Sequence, residues 1–119
     1  LRIILVVVLA LAAFAQGPGI TGTWVGTAEL PDQTIDDVTV VLEKTETGYK
    51  GKVSDALGVL ASETPLTEAA FDGKQMKLVF PTAEGEMITI LLKPEGEKFV
   101  GMWTDEGDGS GKVELARKK

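Results

Sequence analysis

Met87-Ile88-Thr89-Ile90-Leu91-Leu92-Lys93-Pro94-Glu95-Gly96-Glu97-Lys98-Phe99-Val100-Gly101-Met102-Trp103-Thr104 is the stretch that decides how this chain folds. Ile88, Ile90 and Leu92 share one side of an extended segment, while Thr89, Leu91 and Lys93 share the other. Beyond Pro94-Glu95-Gly96, Phe99, Gly101 and Trp103 oppose Lys98, Val100 and Met102. Successive side chains of a strand point to opposite faces, so each half reads as a strand with one apolar face. Proline and glycine between the halves supply a turn short enough to join them as an antiparallel hairpin.

The same period-two pattern extends in both directions. Trp24, Gly26, Ala28 and Leu30 oppose Thr23, Val25, Thr27 and Glu29, and Val38, Val40 and Leu42 oppose Thr39, Val41 and Glu43. Tyr49, Gly51 and Val53 alternate with Lys50 and Lys52, and Met76, Leu78 and Phe80 with Lys77 and Val79. Val113, Leu115 and Arg117 alternate with Lys112 and Glu114. Short turn signals separate the runs: Pro31-Asp32, Thr47-Gly48, Asp72-Gly73 and Ala83-Glu84-Gly85, with a longer glycine-rich link from Asp105 to Gly111. Parallel pairing would need crossovers of a dozen or more residues, usually helical, and no comparable helical stretch is available. Consecutive hairpins make a meander, and closing it removes two exposed edges. The expected fold is therefore all-β, an antiparallel up-and-down barrel of about eight strands, with a two-sheet β-sandwich as the alternative.

One segment is ambiguous. From Ser54 to Phe71, Thr64 before Pro65 with Glu68 in the first turn fits the start of a short helix across a barrel mouth. Strand pieces at Val59 to Ala61 and Leu66 to Phe71, kinked at Pro65, are the favoured reading, because Asp72-Gly73 then forms a hairpin into the strand around Leu78.

With 119 residues the chain has room for one domain. Its first fifteen residues differ from the rest: Arg2 precedes an apolar run from Ile3 to Phe14, and Ala13-Phe14-Ala15 supplies small residues at a small-x-small cleavage site. The run is shorter than the roughly 20 residues of a membrane-spanning helix. Residues 1–15 therefore read as a secretory signal peptide and residues 16–119 as the barrel domain, with Gln16 first in the mature chain and no stable membrane span after cleavage; the alternative is an uncleaved anchor. Export implies a periplasmic or secreted location. The chain has no cysteine, and small exported eukaryotic domains commonly carry disulfides, so a bacterial envelope is favoured.

Composition removes several kinds of chemistry. Losing Arg2 leaves eleven basic against eighteen acidic residues, a net charge of −7 in place of −6. Such a surface repels phosphate backbones, so a nucleic-acid partner is excluded. Histidine is absent, so neither a Ser-His-Asp nor a Cys-His arrangement can be built, nor a histidine-ligated metal site. Glu84 and Glu86 flank a turn, where solvated charges serve solubility, and are not read as a catalytic pair. The acidic loop Asp105-Glu106-Gly107-Asp108-Gly109-Ser110-Gly111 carries glycines at the third and fifth positions of an EF-hand pattern, so it reads as a flexible connection. The expectation is a chain that is not an enzyme and has no cofactor and no metal.

Gly22-Thr23-Trp24 on the first mature strand resembles the Gly-x-Trp signature of lipocalins and the wider calycin group. The rhythm returns in Gly51-Lys52-Val53 and Gly101-Met102-Trp103, as in small bacterial exported proteins of lipocalin-like architecture. The resemblance implies an up-and-down barrel in which the tryptophan closes one end and an arginine from near the last strand packs across it. Arg117, the sole arginine of the mature stretch, has inward parity at the end of the last strand, so Trp24 and Arg117 form the expected structural latch. The chain is shorter than a typical lipocalin and lacks the family's other usual motifs and disulfides.

An eight-stranded barrel is just wide enough to be filled by side chains or to hold one small ligand. The large inward residues can fill it themselves. If a pocket exists, small residues on the same face provide the room, and the ligand-binding set is Trp24, Gly26, Ala28, Tyr49, Gly51, Gly101 and Trp103, with Tyr49 as its polar handle. The guest would then be a lipid or another small hydrophobic molecule. Two functions stay open: an envelope or secreted binding module for such a molecule, and a structural or protein-interaction barrel with a filled core. In the second, Val25, Val41, Val79, Leu91, Val100 and Met102 point outward and are candidates for an apolar partner surface. No protein partner is identified.

Overall fold

A computed structural model describes residues 19–118. The signal-peptide reading of residues 1–15 and the mature start at Gln16 lie outside the described residues. Nine strands follow one another: β1 (Gly22–Glu29), β2 (Ile35–Lys44), β3 (Tyr49–Asp55), β4 (Thr64–Pro65), β5 (Glu68–Phe71), β6 (Met76–Pro81), β7 (Met87–Glu95), β8 (Lys98–Thr104) and β9 (Ser110–Arg117). Among the described residues there is no helix, and so none long and apolar enough to cross a membrane.

All strands belong to one antiparallel sheet in the order β4-β3-β2-β1-β9-β8-β7-β6-β5. A single sheet is not a sandwich, so the two-sheet alternative does not hold. The sheet curls until its two edges meet, and the chain itself joins them, because β4 and β5 are consecutive. Pro65 lies opposite Lys52 of β3, and Glu68 opposite Val79 of β6. Between them, the Leu66 N–H donates to Gly51 O at 2.9 Å and the Thr67 N–H to Val79 O at 2.7 Å. Residues 64–71 thus pass from one partner to the other through a bend at Thr67, which explains nine strands where about eight were expected. Proline has no N–H to give a ladder, and Pro65 sits where one strand partner is given up for the other. The favoured strand reading of residues 54–71 holds in its second half, while Val59 to Ala61 lie outside any strand and no lid helix forms.

The β7–β8 hairpin pairs Ile90 with Trp103 and Leu92 with Gly101. Its strands run past Pro94, which faces Phe99, to a two-residue turn that begins at Gly96 with φ 64°. Residues with positive φ at this place in a hairpin match the right-handed twist of the strands, and glycine adopts it without strain.

Inward residues follow the expected parity. Val40, Leu42, Val53, Leu78, Ile90, Leu92, Val113 and Leu115 are buried, and they alternate with exposed or half-buried neighbours. Two further core residues come from outside the strands: Ile20, fully buried ahead of β1, and Leu60, 6% exposed, between β3 and β4.

Candidate functional site

The two ends of the barrel differ. Where β1 begins and β9 finishes, Trp24 is buried and its ring meets Phe99 edge-on, with centroids 5.2 Å apart. The indole N–H of Trp24 donates to Ile20 O at 2.9 Å, which ties the segment before β1 across the opening. Arg117 lies opposite Trp24 in the β1–β9 ladder, with its guanidinium carbon 4.4 Å from the ring centroid. The same guanidinium donates to Thr21 O and Gly19 O. Aromatic packing, a cation over a ring and these carbonyl contacts close this end.

At the opposite end, β2 begins and β3 ends around an apolar cavity of about 80 Å³. Val40, Val53, Phe80, Ile90, Trp103 and Leu115 are among its walls, and Ala28 leaves space beside them. The Trp103 indole N–H is satisfied by Glu29 O at 2.8 Å, so its ring can stay in the wall with no polar atom left over. An engineered cavity of about 150 Å³ holds benzene; this one accommodates a few carbon atoms unless a side chain moves.

Of the sequence-derived binding set, Ala28 and Trp103 line this cavity, and Trp24 belongs to the closed end. Tyr49 also lies toward the closed end, packed on the core, with Lys44 Nζ 5.3 Å from its ring centroid. Gly26, Gly51 and Gly101 sit against neighbouring backbone. A Cβ on them would come within 1.7 Å of Glu114 O, 2.0 Å of Val41 O and 1.8 Å of Leu91 O, respectively. Their role in the geometry is to let strands approach closely in a tightly coiled sheet.

The polar part of the site is a pair of acids that the sequence reading did not single out. Asp36 on β2 and Asp55 on β3 line the cavity mouth. Asp55 lies opposite Val38, so the two acids are diagonal neighbours on the inward face. Asp36 is only 2% exposed. Its Oδ1 accepts the N–H groups of Ala56 at 3.1 Å and Leu57 at 3.0 Å. Asp55 accepts from Val59 at 2.8 Å and from Leu60 at 3.2 Å. Burial, and then a hydrogen bond with Asp55, push the Asp36 carboxyl up to about 6. Burial works to raise Asp55 as well, but the Asp36 hydrogen bond and the backbone N–H groups of Val59 and Leu60 outweigh it, and the net direction is downward. Below about pH 6 one proton is thus held on Asp36 beside an ionised Asp55.

The signal for this pair was present: Asp36 shares the parity of Val38, Val40 and Leu42, and Asp55 that of Val53. Among the described residues no group of three or more metal-ligating side chains gathers. In the acidic loop, Asp105 Oδ1 accepts from Gly107 at 2.8 Å and Gly109 at 2.9 Å, so this carboxylate organises its own turn.

No protein-family model and no curated protein sequence matches the chain. Among solved structures it is similar to the redesigned β-barrel mFAP1 bound to DFHBI, with 12% identity and a TM-score of 0.62 over 82% of this chain and 94% of that one. A variant of the fluorescent protein UnaG aligns at 12% identity and a TM-score of 0.49, over 82% and 95% of the two chains. At 12% identity the likeness to mFAP1 speaks to architecture alone. The chain is a curled antiparallel β-barrel, closed by aromatic packing at one end and hollow at the other.

Proposed function

We propose that this chain is a non-enzymatic binding module that takes a small hydrophobic molecule into the cavity at the Trp103 end. The observation that carries the reading is the apolar cavity itself: its walls are aliphatic and aromatic, and its polar groups are gathered at the mouth. Concave apolar sites with a few converging polar groups are the usual form of small-molecule sites. That the similar barrel mFAP1 was solved bound to DFHBI supports the reading by analogy of fold. The mouth carries carboxyls and no cation, which favours neutral guests over fatty carboxylates.

The order of residues 1–15, basic, apolar and then small, supports export to a bacterial periplasm or exterior. The acidic balance supports a partner list without nucleic acid.

Titration with N-phenyl-1-naphthylamine and with 1-decanol, followed by tryptophan fluorescence and native mass spectrometry, tests the proposal. A one-to-one adduct and a change in emission that disappears in Trp103→Phe are expected. Bare chain throughout, with unchanged emission, overturns it.

A second reading has its own observation. Leu91 and Met102 are 41% and 45% exposed and face each other directly across β7 and β8 on the outside. This pair favours a structural or protein-interaction barrel acting through its outer face. Light scattering over a wide concentration range checks it for self-association: a concentration-dependent dimer abolished by Leu91→Lys supports it, and a strict monomer counts against that form of it.

A further inference from the structure

Residues 56–63 cross the hollow end of the barrel, and Leu60 turns inward there to become part of the core. What fastens this crossing is unusual in its chemistry. Four of its backbone N–H groups, those of Ala56, Leu57, Val59 and Leu60, are held by the carboxylate oxygens of Asp36 and Asp55. Further backbone ties run from the Ala56 N–H to Asp37 O and from the Ala83 N–H to Val59 O, both at 3.0 Å. The two acids that hold the crossing lie beside each other in apolar surroundings. With one proton between them they are hydrogen-bonded; with none they are two like charges side by side, Asp36 buried and Asp55 half-buried.

We infer that residues 56–63 are a proton-held cap over the interior site, shut while Asp36 and Asp55 share one proton and loosened when both are ionised. The inference rests on the interior being a binding site, and it supplies that site's regulation. Opening also answers the size of the cavity, because withdrawing Leu60 adds the volume of its side chain to the space behind it.

Few other charges bear on the pair. Ala28 and Leu30 face it from β1, Val59 and Leu60 from the cap, and none of these titrates. Glu63, the ionisable residue within the cap, is paired with Lys52 on the outer side at 3.1 Å. Asp36 therefore answers chiefly to its own burial and to Asp55, which place its ionisation near pH 6. A carboxyl raised from 3.8 to about 6 favours the protonated form roughly a hundredfold over an ordinary aspartate, and that preference is lost above the transition.

Amide hydrogen exchange on the full chain, read by NMR at about pH 5 and about pH 7.5 and corrected for intrinsic rates, tests the cap without any ligand. Protection of the Leu57, Val59 and Leu60 amides is expected to fall roughly ten- to a hundredfold at the higher pH, while amides of β7 and β8 keep theirs. Asp36→Asn retains a donor towards Asp55 and cannot ionise, so its cap stays protected at both pH values. Should that variant fail to fold, Asp55→Asn leaves one carboxyl and moves the midpoint away from 6. Equal protection in the wild type at both pH values, or the same loss in either variant, overturns the inference.

A second arm follows uptake of the neutral probe N-phenyl-1-naphthylamine by stopped flow, expected to be about tenfold faster at the higher pH. A pH-dependent cap with no uptake at either pH removes the binding function and leaves the cap standing. Uptake with a pH-independent cap does the reverse.

Discussion

Trp24 and Arg117 stand opposite each other where the first and last strands meet, with the guanidinium stacked 4.4 Å from the centre of the indole. The contact joins β1 to β9 by side chains as well as by their ladder, and through Thr21 O and Gly19 O it also holds the segment before β1.

Arg117→Ala is expected to lower stability by about 1–2 kcal/mol, through loss of the cation over the ring and of the carbonyl contacts together. Arg117→Lys keeps the charge but not the planar fork, and should recover less than half of that. Urea denaturation monitored by tryptophan emission checks both.

Gly101→Ala places a methyl group 1.8 Å from Leu91 O, inside the strand that pairs with it. Backbone cannot step aside as a flexible side chain does, so a loss on the order of 3 kcal/mol is expected. A fall in Tm of ten degrees or more is the corresponding reading. Gly107→Ala, where the nearest atom lies at 3.7 Å, is the control and should leave Tm nearly unchanged.

Stability should depend on pH in a way that Asp36 dictates. Its folded-state value is raised, so its contribution is whole below 3.8, erodes above that value and is gone once pH has risen through about 6. Asp55 is lowered, so its contribution is present above 3.8 and lost as pH falls further. The pair is therefore most favourable at about pH 4, and its contribution declines from there to about pH 6. The Asp36 shift alone corresponds to about 3 kcal/mol as an upper figure. Denaturation curves at a series of pH values should show the decline towards neutrality, and Asp36→Asn should flatten it.

Leu60→Ala should cost about 2 kcal/mol, less than the largest core truncations, because the residue sits at the mouth, where the cap can settle around the gap. The enlarged cavity should take N-phenyl-1-naphthylamine more tightly than the wild type does, by several-fold in equilibrium titration. Destabilisation without any gain in probe affinity would separate the core role of Leu60 from its role at the mouth.

Much of this architecture could be read from alternation alone. Ile88, Ile90, Leu92, Phe99 and Trp103 face inward as their parity requires, and the strands around Trp24, Val40 and Val113 do likewise. Parity says which face a residue takes but not what occupies the space in front of it. Gly26, Gly51 and Gly101 have inward parity, yet the coiling of the sheet fills that space with backbone, and coiling is set by many strands together. Asp36 was missed for a different reason. Ile35-Asp36-Asp37 suggests a solvated strand end, but Ile35 is 54% exposed and Asp36 is buried, because the register of Val38 and Val40 extends outward unchanged and outweighs residue type. Ile20 and Leu60 belong to no alternating run, so no local pattern marks them as core.

The strand order has a kinetic consequence. Nearly every ladder joins strands that follow each other directly, so most of the sheet can assemble by local zipping from hairpins such as the one at Gly96. The β1–β9 ladder alone brings together segments separated by almost the whole barrel, and it must overcome the entropy of closing that long loop. The rate at which the polypeptide acquires its native state should therefore be governed by the meeting of its first and last strands, with the rest of the meander largely in place beforehand.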